Sequence, residues 1–108
     1  MTGNNPRVAP DLIRRHVPKL ADLTDDVLFA DNWQRPELPP RDRSPVPVAA
    51  LASLGREAQL TGQLRRALDN GLTAQELAEA ITHLAFCAGR PAAMNTHTVL
   101  ATVNEPGN

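Results

Sequence analysis

Thr73-Ala74-Gln75-Glu76-Leu77-Ala78-Glu79-Ala80-Ile81-Thr82-His83-Leu84-Ala85-Phe86-Cys87-Ala88-Gly89 carries both a helix start and a helix stop. Thr73 and Glu76 have the spacing of a capping box, in which each side chain satisfies the other residue's backbone N–H. Leu77, Ala80, Ile81, Leu84, Ala85 and Ala88 then fall on one face, and Gly89 ends the run. The segment predicts an amphipathic helix of about four turns, and the sequence on either side extends the pattern. Upstream, Leu60, Leu64, Ala67 and Leu68 form a second stripe, stopped by Asn70-Gly71 as a left-handed cap. Before that, Ser44 is placed to cap a helix with Pro45 in its first position. Val46–Leu54 is apolar on nearly every side, which predicts a buried helix ended by Gly55. Downstream, Pro91 opens a last helix with Met94, Val99 and Leu100. Near the start, Leu20, Leu23, Val27 and Leu28 recur at helical spacing between Lys19 and Asp31. No stretch alternates with the period of a strand, so the expected fold class is all-α.

Proline sets the segmentation. Eight of the ten prolines precede residue 48, and none lies between Val48 and Arg90. Since proline breaks helix interiors, the first third is divided and the middle is free to be helical. The expected organisation is a flexible N-terminal segment over 1–17, one helical domain over 18–103 and a disordered tail over 104–108.

Bulk properties exclude several functions. The 108 residues carry 11 Lys plus Arg against 12 Asp plus Glu, a net charge of −1. That balance argues against nucleic acid or a membrane surface as a partner. No run approaches the ~18 apolar residues of a membrane span, and the N-terminus has no signal-peptide core. A single cysteine excludes an intrachain disulfide and suits a reducing, cytoplasmic location. Three histidines without metal-ligand spacing give no zinc site. No glycine-rich phosphate loop is present, and no cofactor is expected.

Few residues remain to carry chemistry. On the 73–89 helix, Glu76, Glu79, His83 and Cys87 share a flank bordering the apolar face. His83 there is either a proton carrier held by Glu79 or a surface histidine beside a carboxylate one turn away. Cys87, between Phe86 and Ala88, reads first as a small core residue and second as a reactive thiolate. Trp33 either walls a ligand pocket or plugs a helix end. Arg43, just before the apolar helix, either clamps a carboxylate or forms a structural ion pair.

From about Pro18 to Val103 the chain resembles the carboxymuconolactone decarboxylase family, in the AhpD-like superfamily. The resemblance rests on Leu28-Phe29-Ala30-Asp31-Asn32-Trp33-Gln34-Arg35-Pro36, Arg41-Asp42-Arg43-Ser44, Val48–Arg56, Leu64–Gly71, His83-Leu84-Ala85-Phe86 and Pro91-Ala92-Ala93-Met94-Asn95. It implies a helical domain assembled as a homo-oligomer, a trimer or a hexamer. It also implies either decarboxylation or isomerisation of a small lactone acid, or a thiol peroxidase relay. The relay's glutamate, cysteine pair and histidine fall on Ser44, Arg56, Gln59 and Gln63, none of which supplies a thiol. Gln63 also stands where the decarboxylase branch keeps a histidine. Cys87 replaces a common tyrosine, and Arg90 replaces a bulky apolar residue beside the implied pocket. The expected function is a cofactor-independent acid–base enzyme acting on a small carboxylate or lactone. His83 is its proton carrier, and Trp33, Arg43, Gln63, Cys87 and Arg90 bind the substrate. The alternatives are a non-catalytic oligomer binding a small molecule or a partner, and a peroxidase.

Overall fold

A computed structural model describes residues 6–104; the first five residues and residues 105–108, most of the expected tail, lie outside the described part. Among the described residues the regular structure is helical and no strand occurs, as the sequence predicts. The chain falls into two units, Met1–Pro40 and Arg41–Asn108.

The first unit holds α1 (Asp11–His16), α2 (Pro18–Asp22), a π-helical segment (Leu23–Phe29) and a 3-10 turn (Asn32–Gln34). The expected apolar stripe is not the buried one. Leu20, Leu23, Val27 and Leu28 are 40–52% exposed, whereas Ala21 and Asp25 are fully buried. The cause is the wider winding: Ala30 N–H bonds to the Asp25 carbonyl five residues back. That register breaks the 3.6-residue period on which the stripe rested.

Asp25 is the polar centre of this unit. One carboxylate oxygen accepts from the N–H groups of Val8 (2.7 Å) and Ala9 (2.9 Å). The other accepts from Arg14 at 2.6 Å and from Arg7 at 3.4 Å. Residues 8–9 are therefore tied down, a contact the sequence did not announce. Burial pushes the Asp25 carboxyl up, but the bonds from Ala9, Arg14 and Val8 outweigh it and hold the group well below the usual carboxylate range. With its folded value depressed, Asp25 contributes stability throughout the range above its ordinary pKa near 3.8. The contribution is lost only as pH falls further, through the folded value. In Asp25→Asn an amide N–H faces Arg14 and the ion pair is gone. This variant should unfold at lower urea and lose the pH dependence that Asp25 gives the wild type below pH 4. Exchange of the Val8 and Ala9 amides, followed by NMR, should accelerate.

The second unit is a four-helix arrangement introduced by α3 (Pro40–Arg43): α4 (Pro45–Leu54), α5 (Glu57–Asp69), α6 (Ala74–Ala88) and α7 (Arg90–Asn104). α7 packs on α4, α5 and α6, and α4 also packs on α5 and α6. Leu60, Leu64, Leu77, Ile81 and Leu100 form the core with Val48, Ala52, Ala67, Leu72 and Ala93. The helix ends follow the sequence closely. Thr73 and Glu76 complete the capping box with two bonds of 3.0 Å. Gly55 (φ 72°) and Gly71 (φ 107°) take the left-handed conformation. At each, the next residue's N–H reaches back five positions: Arg56 to Leu51 at 2.9 Å and Leu72 to Ala67 at 3.1 Å. Both helices thus end in Schellman motifs.

Two expectations need correction. Ser44 does not cap α4 through its side chain. Its own backbone is helical, and its buried hydroxyl accepts from Asn70 Nδ2 at 2.9 Å. α4 is also not buried all round. Val48 and Ala52 are buried, but Val46 is 62% and Leu54 is 70% exposed, because the described elements cover one side of this uniformly apolar helix.

Candidate functional site

A cleft of about 330 Å³ lies in the second unit, between the end of α4, the start of α5 and the first turns of α7. Its apolar lining includes Leu51, Ala52, Leu54, Leu60, Pro91 and Ala92. Its polar lining includes Ser53, Arg56, Glu57, Asn95 and Thr96. Ser53 and Thr96 use their hydroxyls on the carbonyls of Ala49 and Ala92, each at 2.8 Å. Arg56, Glu57 and Asn95 make no side-chain hydrogen bond or ion pair with any described residue. The local fold sets this up. Gly55 turns the chain with a positive φ that a side chain would strain. Arg56 then has its N–H on Leu51 and its carbonyl accepting from Leu60 N–H at 3.0 Å. Its backbone is fixed on both sides while its guanidinium stays available.

The residues singled out from sequence lie elsewhere. His83, Arg43, Gln63, Cys87 and Arg90 do not line the cleft. His83 is exposed on α6, with the Phe86 ring 6.4 Å away between centroids. Among the described residues no ion pair joins it to Glu79. Glu76, on the same flank, is engaged instead. The Thr73 N–H and the Arg41 guanidinium hold its carboxyl below the usual range. Cys87, read first as core, is exposed, because it stands on the rim of α6 away from Leu77 and Ile81. Arg90 is exposed at the first position of α7, and Arg43 is half-buried at the end of α3. Gln63 is half-buried on α5, and its amide oxygen is shielded from solvent without a hydrogen-bond donor among the described residues. Trp33 lies in the first unit, buried, with its ring stacked on Phe29 at 6.3 Å and 11°.

Sequence reasoning met Arg56 only as the residue on a cysteine position of the relay, gave it no role, and did not bring it together with Glu57 and Asn95. A further signal was Gly55, whose forced turn presents the next residue at a helix junction. No group of three or more His, Cys, Asp or Glu side chains among the described residues is arranged to hold a metal ion. No helix of the described residues is long and apolar enough to cross a membrane.

A helical domain with a small cleft at a helix junction is the setting in which residues 18–102 match the carboxymuconolactone decarboxylase family model. The chain belongs to this family. It is similar to the 4-carboxymuconolactone decarboxylase of Acinetobacter baylyi, with 38% identity over 87 residues. The similarity covers 74% of this chain and 65% of that protein, so the chain spans about two-thirds of its curated relative's length.

Proposed function

We propose that the protein is an acid–base enzyme of the decarboxylase type, a lyase, isomerase or cyclase, acting without a cofactor on a small carboxylate or lactone. The observation that carries this reading is the family match over residues 18–102, which include the whole cleft, together with the similarity to a protein named as a decarboxylase. Loss of carbon dioxide next to a carbonyl leaves an electron pair that must be stabilised and then protonated. That chemistry asks for a cation near the carboxylate and a proton carrier near neutral pKa. Arginine supplies the first, and His83 is proposed for the second; because His83 does not line the cleft of its own chain, this role requires an assembly that brings it to the cleft of a neighbouring copy. Exposed Val46, Leu54, Phe86 and Met94 support a homo-oligomeric assembly, which sedimentation measures directly.

Incubation with 4-carboxymuconolactone, followed by carbon dioxide release, tests the reading. Turnover that scales with protein concentration is the expected result. Failure on this lactone and on related small keto and lactone acids would overturn it. The second reading, a non-catalytic binder, would then stand. It is favoured by Gln63, which cannot carry a proton at neutral pH where the decarboxylase branch has a histidine.

A further inference from the structure

We propose that the α4–α5–α7 cleft is a carboxylate-binding site, in which the Arg56 guanidinium grips the anion and the apolar floor takes the carbon skeleton. The proposal deepens the enzymatic reading by assigning the substrate's anchor, and it rests on that reading for the claim that the ligand is also the substrate. Three observations support it. The first is the cleft, which at about 330 Å³ sits at the small end of ligand sites. It suits a skeleton of a few carbons and is too small for a dinucleotide.

The second is the chemistry of the lining. A guanidinium is a planar fork that matches a carboxylate with two parallel hydrogen bonds. Arg56 has no side-chain partner among the described residues, although its backbone is held by Leu51 and Leu60. The fork is therefore mounted on a fixed point and is not committed to a structural ion pair. Asn95, whose amide has no partner among the described residues, stands across the junction on α7 and can donate to a second oxygen. The start of α5 contributes partial positive charge at the same end.

The third is Glu57. Its carboxylate lines the cleft beside Arg56 without pairing to it. It opposes an incoming anion, so affinity for a carboxylate is held below what Arg56 alone would give. This yields a test with opposite signs at adjacent residues, which a structural role at either position would not produce.

The experiment is calorimetric titration of the intact protein with pentanoate and glutarate, using pentanamide as the neutral control. Both carboxylates should bind, with the amide at least about tenfold weaker, the size of one charge-assisted hydrogen bond. Arg56→Gln should weaken carboxylate binding by about tenfold or more, Arg56→Lys should restore part of it, and Glu57→Gln should tighten it. Arg65→Gln, further along α5, should change nothing. Circular dichroism checks that each variant keeps its helix content. Equal binding of pentanoate and pentanamide, or loss of binding in Arg43→Gln with Arg56→Gln unaffected, would overturn the proposal. Binding through Arg56 without lactone turnover would retain the site and remove the enzymatic reading. Lactone turnover with unchanged kcat and KM in Arg56→Gln would do the reverse.

Discussion

The His83→Ala variant should turn over its substrate about a hundredfold more slowly, or worse, with its helix content intact. General acid–base groups contribute on the order of 10²–10⁴ in rate. Of the three histidines, His16 ends α1 in the first unit, and His97 lies on α7 among threonines. His83 stands on the flank of α6, exposed. Because it packs into no core, its removal costs little structure, so a loss of rate would report on chemistry. Single-turnover kinetics with the lactone separates proton transfer from binding. A rate unchanged from wild type would move the proton to Glu57, the one carboxylate lining the cleft among the described residues.

The Leu64→Ala variant should lose about 3 kcal/mol of stability, within the range for buried leucine truncations. Leu64 is fully buried at the centre of α5, in the core built by α4, α5, α6 and α7. Close-packed neighbours cannot collapse fully into the space, so the lost transfer energy is joined by the cost of a cavity. For a domain of this size the shift in Tm is on the order of 10 °C or more. Leu64→Met, which conserves volume, should cost under about 1.5 kcal/mol. Urea unfolding of the two variants side by side measures the difference.

What the sequence made legible was local. The capping box at Thr73 and Glu76 and the glycine stops at 55, 71 and 89 involve partners within a few residues. The core stripe of α5 and the Leu77–Ile81 pair of α6 followed from period alone. Asp25 was not legible, because two of its partners are backbone N–H groups 16 and 17 residues earlier and its closest guanidinium, Arg14, lies 11 residues away. No residue type marks a backbone donor. The π winding that turns Asp25 inward also left no pattern. Ser44 was misjudged because its partner, Asn70, lies 26 residues away. The cleft was hidden for the same reason: its lining comes from four helices and the turn between two of them. Gln63 and Arg90 came from a family resemblance, which marks positions without giving their surroundings, and Cys87 came from a helix flank whose spacing does not say which side is covered.

Cys87 carries one further consequence. It is the sole thiol in the sequence and it is exposed on α6, one turn from His83. Any disulfide between two copies can therefore join only Cys87 to Cys87, so an oxidised species stops at a covalent dimer and cannot polymerise. The same uniqueness makes the residue a labelling handle. A maleimide dye placed there reports from a single known point on the helix that bears the proposed proton carrier.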